Sequence, residues 1–348
     1  MRRQERILVL YNRPSDELLK TAPESADESE AGVWDEMLAV TASLNQLGID
    51  YRVGGAASLA DMPRVLGKYR ERVIFNLVEG FYGSPAADPF LVPAVCEAFD
   101  REYTGNTTPC QLLANNKWQT NALLRAAGIP CPASIMVPEG GKVPAALPFA
   151  GPCIVKPACT DASEGIEPGS VIRKPTRAAV QRVADSVSRR FSQPAIVEQF
   201  IDGRELNIAL LEDGDDVRTM PVAEVEFRGY DASRPKIIDY AAKWLRDSFE
   251  YQNTVRVVPA PLPRSLADRV RRIALAAWSV VGCRDYARVD LRLNKKGEPF
   301  VLEVNPNPDI SLDAGFSAAL AAADIEYADF VKAVVGNARR RLRRTHQP

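Results

Sequence analysis

The segment ARVDLRL, residues Ala287 to Leu293, is followed by the loop NKKG and then by EPFVLEVN, residues Glu298 to Asn305. Both runs are rich in the branched apolar residues that favour strands, and the loop between them contains Asn and Gly. Two such runs joined by a short loop predict a β-hairpin. The predicted fold and the predicted chemistry of the chain both depend on this hairpin.

The register of the predicted hairpin follows from the alternation of its apolar side chains. The expected cross-strand pairs are Leu293 with Glu298, Leu291 with Phe300 and Val289 with Leu302, with Val304 on the same side. This register gathers the apolar side chains on one face, because successive side chains of a strand point to opposite faces. A slip by one residue would expose large apolar side chains at about 1.5–3 kcal/mol each.

The opposite face of the hairpin is then predicted to carry charged and amide side chains. Its members are Arg288, Asp290, Arg292, Val301, Glu303 and Asn305. Carboxylate and amide oxygens suit Mg²⁺, which uses one or two protein carboxylates and takes further ligands from water and phosphate. The alternative is a solvated face on which arginines and carboxylates form a ladder of ion pairs.

Elsewhere the pattern predicts a parallel βαβ unit in the first hundred residues. Strands are expected at 6–11, 50–53 and 73–77, and Trp34, Met37, Leu38, Thr41, Leu44 and Leu47 recur at helical spacing between the first two. Strands that alternate with helices favour a parallel sheet. The acidic segment 14–32 is interpreted as a loop or a frayed helix start.

The sequence pattern in the remaining chain predicts two further units of mixed helix and strand. Helices are expected at 117–127, 176–191 and 263–281, strands at 153–156 and 195–200, and a Pro- and Gly-rich loop at 138–152. In the helix 263–281 the apolar residues Leu266, Val270, Ile273 and Ala277 share one face. We predict domains at 1–110, 111–200 and 201–338, followed by a basic tail at 339–348.

Composition excludes several classes of chemistry. The 348 residues include 44 Lys and Arg against 45 Asp and Glu, so no bulk charge favours nucleic acid or a membrane surface. The single histidine, His346, makes histidine-based catalytic triads and HExxH zinc sites unexpected. Six cysteines without a CxxC pair are interpreted as reduced thiols. No signal peptide or membrane span is apparent, and a cytoplasmic protein is expected.

Five motifs in a fixed order carry a resemblance to a known superfamily. They are VKPACTDASEGI (155–166), VEQFIDGRELNIALL (197–211), DYAAKW (239–244), ARVDLR (287–292) and EVNPNPDIS (303–311). With YTGN and NKWQTNALLRAAGIPCP upstream, they resemble the ATP-grasp superfamily in its D-alanine–D-alanine ligase branch. The resemblance implies an α/β fold of the α+β ATP-grasp type, in which an N-terminal parallel βαβ domain precedes two α+β subdomains that clasp ATP between them.

The resemblance also implies nucleotide-binding residues. Lys117 and Lys156 match lysines that contact the nucleotide phosphates, and Ser163 lies in a loop similar to the family's phosphate-covering loop. Glu198, Gln199, Phe200 and Ile201 match the hinge that holds adenine, and Glu205 matches the residue that binds the ribose hydroxyls. The alternatives are a solvated Lys117, a plain surface loop and a surface Glu205.

Catalytic and metal-binding roles follow from the same resemblance. Lys243 matches a lysine that reaches the γ-phosphate from a mobile loop, and Arg288 matches an arginine that stabilises the transition states. Asp290, Glu303 and Asn305 match the magnesium ligands, and so coincide with the polar face of the hairpin. The implied cofactors are ATP and one or two Mg²⁺ ions, with Mn²⁺ as an alternative.

The implied reaction is the ATP-dependent joining of a carboxylate and an amine through an acyl phosphate. The substrate motifs depart from the family: LYNRPSDE replaces a glycine-rich segment, so that Asp16 or Glu17 would have to hold an amino group, and Glu79 replaces a histidine. Asp309, Ser311 and Asp313 occupy the final substrate loop. Because acidic side chains repel a carboxylate, we predict an altered specificity for a cationic or amine-rich acceptor.

Two other functions stay open at this point. One is an ATP-grasp enzyme that activates an unrelated carboxylate, and the other is a nucleotide-binding protein without catalysis. The expected partners are small amino-acid-like molecules, with no nucleic acid and no membrane, and a homodimer is an open alternative to the monomer. The Arg-rich segment 337–348 is interpreted as the solvated end of the last helix rather than as an RNA or membrane anchor.

Overall fold

The computed structural model describes residues 6–14, 23–81, 84–160, 163–231 and 233–345, with no side chains described for 23–31 and 345. Three sheets organise this part of the chain. The segment 15–22, with Asp16 and Glu17, and the terminal His346 lie outside the described residues. The predicted domain bounds stay predictions. No helix in the described ranges is long and apolar enough to span a membrane.

The first sheet is parallel, as the alternation of strands and helices predicts. Its order is β2-β1-β3-β4, with β1 at Ile7–Asn12, β2 at Tyr51–Ala56, β3 at Val73–Leu77 and β4 at Glu102–Tyr103. Helices cover both faces, so the run from Ile7 to Leu10 is buried throughout. These helices are α1 (Pro23–Gln46), α2 (Met62–Lys68) and α3 (Asp88–Ala98), with a 3₁₀ turn at Leu59–Asp61.

Helix α1 begins earlier than the sequence pattern indicates. Of the two interpretations of the acidic segment, the helical one holds from Pro23 onward. The predicted apolar stripe is buried only in part: Met37 and Leu44 lie in the core, whereas Trp34 and Leu38 are 46% and 50% exposed. The buried face is completed by Val33 and Val40.

The second sheet is antiparallel, with the order β5-β8-β6-β7. Its strands are β5 (Ser134–Val137), β6 (Cys153–Pro157), β7 (Val171–Ile172) and β8 (Ala195–Gln199). The helices of this region are α4 (Thr108–Asn115), α5 (Lys117–Ala126) and α6 (Arg177–Phe191), with a 3₁₀ turn at Pro168–Ser170. The segment 138–152 contains neither helix nor strand, as predicted.

The third sheet carries the hairpin and has the order β12-β11-β9-β13-β14, with β10 beside β9. Its strands are β9 (Arg204–Asp213), β10 (Asp216–Thr219), β11 (Ala223–Phe227), β12 (Thr254–Val257), β13 (Tyr286–Leu293) and β14 (Pro299–Asn305). Five helices complete the fold: α7 (Tyr240–Trp244), α8 (Phe249–Asn253), α9 (Arg264–Val281), α10 (Gly315–Ala321) and α11 (Tyr327–Thr345). Helix α9 packs on one face of this sheet through its predicted apolar side, on which Val270 and Ala277 are buried.

The hairpin forms, but its predicted register is wrong. The observed pairs are Val289 with Val304, Asp290 with Glu303, Leu291 with Val301 and Leu293 with Pro299. The pairing shifts after Asp290, because a β-bulge at Leu302 adds a residue to β14. Val301 and Val304 therefore both lie in the core. The prediction that Val301 lies on the polar face is wrong.

An ion-pair network fastens the end of α11 to both the first and the third sheet. The Arg341 guanidinium donates to both carboxylate oxygens of Asp285, at 2.8 and 3.0 Å, and to Glu102 at 2.6 Å. It also donates to the carbonyl of Tyr103. Asp285 is fully buried, whereas Arg343 near the chain end is exposed. The interpretation of the arginine-rich end as solvated therefore holds for Arg343 but is wrong for Arg341.

We expect Arg341→Met to lower the free energy of unfolding by about 3 kcal/mol, because it leaves the buried Asp285 carboxylate without its cation. Arg343→Met, on the same helix, should change it by less than about 0.5 kcal/mol. Urea unfolding followed by circular dichroism measures both values. Equal stability of the two variants would contradict the assigned role of the network.

Candidate active site

One face of the third sheet collects the charged side chains of the hairpin. The ladder places Glu205 of β9 beside Arg292 of β13, and Asn207 beside Asp290. Paired residues of antiparallel strands project to the same face, and this face lies opposite the one packed on α9. The polar surface, which was predicted for β13 and β14 alone, therefore extends onto β9 as well.

The three predicted metal ligands lie together on this face. The Asn305 amide nitrogen donates to Asp290 at 2.9 Å and to Glu303 at 3.3 Å. Arg288 donates to both oxygens of Asp290, each at 2.8 Å. Asp290 is 7% exposed, so the alternative of a fully solvated ion-pair ladder is wrong. The structure thus brings Arg288, Asp290, Glu303 and Asn305 into one cluster.

The two facing carboxylates of the cluster have opposite pKa shifts. Burial raises the pKa of Asp290, and the charge of Glu303 raises it further, although Arg288 opposes both effects. Burial alone would also raise the pKa of Glu303, but Lys117, Lys156 and Arg288 lower it to about 2. The pKa values of two neighbouring carboxyl groups move apart in this way, because ionising both would place two negative charges side by side.

Two buried lysines approach the cluster, one from the second sheet and one from helix α5. Lys156 ends β6 and lies 2.7 Å from a carboxylate oxygen of Glu198, whose other oxygen accepts from Asn121 at 2.6 Å. Burial alone would lower the pKa of Lys156, but Glu198 raises it. Lys117 begins α5 and donates to the carbonyl of Thr160. Both ammonium groups lower the pKa of Glu303, so they contribute to one positive field.

The hinge residues are already bonded within the protein. Gln199 and Phe200 donate their backbone N–H groups to the carbonyls of Ala133 and Pro152. Ile201 is 5% exposed, and the Glu198 side chain is held by Lys156 and Asn121 as described. Adenine binding at this hinge stays a prediction that would depend on the other backbone groups.

Glu205 faces the interior of the candidate site beside a stacked arginine. Its carboxylate lies 3.8 Å from the Arg292 guanidinium, which in turn lies 4.9 Å from the ring centre of Phe200. Glu205 is only 8% exposed, and burial raises its pKa to about 7, although Arg292 opposes this shift. The interpretation of Glu205 as a surface residue is therefore wrong.

The loop that carries Ser163 is bonded to the segment that carries Lys243. The Ser163 hydroxyl donates to the Ile238 carbonyl at 2.9 Å, and the Tyr240 N–H donates to the Ile166 carbonyl at 3.1 Å. Lys243 lies on the short helix α7, with an exposed side chain whose ammonium is 5.2 Å from the ring centre of Trp244. Lys243 therefore lies outside the buried cluster.

The predicted substrate residues of the final loop form a hydrogen-bonded group. The Ser311 hydroxyl lies 2.6 Å from an Asp309 carboxylate oxygen and 3.0 Å from one of Asp313. Ser311 is buried, whereas Asp309 and Asp313 are exposed. Glu79, after β3, is exposed too, and its N–H donates to the Asn12 side chain at 3.0 Å.

Sequence analysis missed a buried glutamate that joins this group. Glu36 of α1 is 3% exposed and accepts from the Ile310 N–H at 2.8 Å. Burial raises its pKa well above the ordinary value, and the charges of Glu79 and Asp309 raise it further. The available signal was an acidic residue on the stripe that buries Val33 and Val40.

Comparison with known proteins agrees with this geometry. The family model described as the D-ala D-ala ligase C-terminus matches residues 123–336, more than half of the chain. The chain belongs to the D-alanine–D-alanine ligase family. The predicted ATP-grasp resemblance is thus confirmed, and the family places the chain among ATP-dependent ligases.

Individual relatives cover most of the chain. The uncharacterised protein y4sG of Sinorhizobium fredii is 32% identical over 77% of this chain and 75% of its own. A D-alanine–D-alanine ligase of Ralstonia nicotianae is 30% identical over 79% and 77%. The crystal structure of the Bacillus anthracis D-alanine–D-alanine ligase complexed with ATP has a TM-score of 0.73 at 19% identity, over 98% of this chain and 99% of that one. The predicted ATP-grasp fold is therefore confirmed.

The raised pKa of Glu205 predicts a pH-dependent stability. Its pKa is about 7 in the folded chain against an ordinary value of 4.5, so the folded state holds the proton more tightly than the unfolded state. This contribution is fully present below about pH 4.5 and is lost as the pH rises through about 7. Relative to Glu205→Gln, the wild-type free energy of unfolding should fall by up to about 3 kcal/mol over that range.

Urea unfolding at pH values from 4.5 to 8 measures this difference. Glu139→Gln, in the exposed loop after β5, is the matched control and should follow the wild-type curve. Parallel curves for the wild type and Glu205→Gln would contradict the burial of an ionisable carboxyl at this position.

Proposed function

We propose that the chain is an ATP- and Mg²⁺-dependent carboxylate–amine ligase. The γ-phosphoryl group of ATP would pass to a substrate carboxylate, and the amine of a second substrate would displace phosphate from the acyl phosphate to form an amide. The observation that carries the proposal is the cluster of Asp290, Glu303, Asn305 and Arg288, in the positive field of two buried lysines. Phosphoryl transfer depends on such positioning and charge neutralisation.

The side chains present fit a magnesium ion. No group of three or more His, Cys, Asp and Glu side chains in the described ranges could hold a metal. Two carboxylates and one amide are nevertheless the number that suits Mg²⁺, which completes its shell with water and phosphate oxygens. Asn305 would turn its amide oxygen toward the ion, in place of the N–H that now bridges the carboxylates. The ion would supply charge neutralisation to the phosphates.

The other charged residues would bind the nucleotide and stabilise the reacting groups. Lys117 and Lys156 would hold phosphate oxygens, and Lys243 would reach the γ-phosphate from its exposed helix. Arg288 would stabilise the charge that develops on the reacting carboxyl group, because a guanidinium offers two parallel donors. Glu205 would accept from the ribose hydroxyls, and the hinge would hold the base.

We further infer an acceptor with an amine-rich or cationic group. Beyond the effect of burial, the charges of Glu79 and Asp309 raise the pKa of Glu36, so these three carboxyl groups repel one another. A bound ammonium group would offset this repulsion and lower the pKa of Glu36 toward its ordinary value. A substrate carboxylate at the same place would increase the repulsion. Residence in the cytoplasm and a homodimer stay predictions.

Release of ADP across a panel of D- and L-amino acids tests the proposed reaction, with amide products identified by mass spectrometry. Asp290→Asn and Glu303→Gln should each reduce Mg²⁺-dependent turnover by about 100-fold or more, since each removes a ligand oxygen charge. Glu298→Gln, in the exposed turn of the same hairpin, should retain it. Full activity of Asp290→Asn, or phosphate release without an amide, would refute the proposal.

The acidic group predicts a change of selectivity in Glu36→Gln. The ratio of kcat/KM for D-lysine to that for D-alanine as acceptor should fall by about 10- to 100-fold, because a neutral amide no longer attracts a second ammonium group. Asp35→Asn, the exposed neighbour on α1, should keep the wild-type ratio. An unchanged ratio in Glu36→Gln would contradict the predicted acceptor class.

A further inference from the structure

The register of the third sheet places one more arginine on the face of the candidate site. Arg256 of β12 pairs with Val225 of β11, Val225 pairs with Glu205 of β9, and Glu205 pairs with Arg292 of β13. Side chains paired across antiparallel strands project to the same face. Arg256 therefore shares the face that carries Arg288 and Asp290, at the edge away from the hairpin.

The Arg256 side chain reaches the substrate loop. Its guanidinium donates to the Asp313 carbonyl at 3.0 Å. It also packs against the start of α10, where a Cβ added to Gly315 would lie 3.4 Å from its Nε. The charges of Asp309 and Asp313 act on it, so it lies near the acidic group of that loop.

Arg256 differs in its ion pairing from Lys156, Arg288 and Arg292. Lys156 is paired with Glu198, Arg288 with Asp290 and Arg292 with Glu205. Within the described ranges no carboxylate lies at salt-bridge distance from Arg256, and its contact with Asp313 is to a backbone carbonyl. Its side chain is exposed, so donors remain available to a ligand.

The electrostatics of Arg256 agree with an anion-binding role. Partial burial of the guanidinium lowers its pKa and the charge of Arg288 lowers it further, although the charges of Asp309 and Asp313 oppose both effects. Two guanidinium groups that repel each other across a site are stabilised by an anion that contacts either one. A carboxylate matches the planar fork of a guanidinium in shape and charge.

We propose that Arg256 binds the carboxylate of the amine substrate and so selects an amino acid over a plain amine. The inference rests on the proposed ligase function and assigns to one residue a recognition role within it. With the carboxylate on Arg256 and a second ammonium group near Glu36, the acceptor belongs to the class of diamino acids.

Competition between acceptors tests this assignment. D-Lysine and cadaverine, which differ only by the carboxylate, are supplied as acceptors at equal concentration with ATP, Mg²⁺ and D-alanine as the carboxylate donor. Mass spectrometry measures the ratio of amides formed with lysine to amides formed with cadaverine. The wild-type chain should favour lysine by at least about tenfold, since charge-assisted hydrogen bonds are worth about 1.5–3 kcal/mol.

Arg256→Met should bring that ratio close to one while leaving KM for ATP unchanged, and Arg256→Lys should restore part of the preference. Arg218→Met, an exposed arginine of β10, should keep the wild-type ratio. Thermal unfolding confirms that each variant is folded. Products formed by Arg256→Met in the wild-type ratio would overturn the role of Arg256 alone, whereas no amide from the wild-type chain would overturn the proposed function.

Discussion

The apposition of Asp290 and Glu303 across two antiparallel strands is the constraint on which the rest of the site depends. Two buried carboxylates this close repel each other, and the surrounding protein compensates with Arg288, the Asn305 amide and the field of two lysines. The cations come from the second sheet, from helix α5 and from the hairpin itself, so the charge balance of the site requires both sheets to be in place. A nucleotide phosphate chain with its metal ion would enter a region already arranged for balanced charge.

The fold supports this arrangement by covering the two faces of the third sheet differently. Helix α9 covers the opposite face with apolar side chains, and the far end of the polar face is closed by a core that contains Ala209, Leu211 and residues of α10 and α11. The polar side chains are therefore confined to one end of β9, β13 and β14. Burial at that end raises the pKa values of Asp290 and Glu205, whereas the neighbouring cations lower the pKa of Glu303.

Local alternation was enough to predict the hairpin and the side on which Asp290, Glu303 and Asn305 lie. It did not predict the bulge at Leu302, because the apolar alternation of Phe300, Leu302 and Val304 runs through that position without a break. Glu36 was missed for a different reason. Its partner Ile310 is 274 positions away in the chain, so nothing in its own segment indicates the contact. Arg256 joins the site only through pairings that cross four strands.

Two hydrogen bonds tie the Ser163 loop to the segment that leads into α7 and to the first residue of that helix. Because Ser163 is bonded to Ile238 and Ile166 to Tyr240, a displacement of either segment breaks these bonds unless the other segment follows. The Ser163 loop and the helix that carries Lys243 are therefore mechanically coupled.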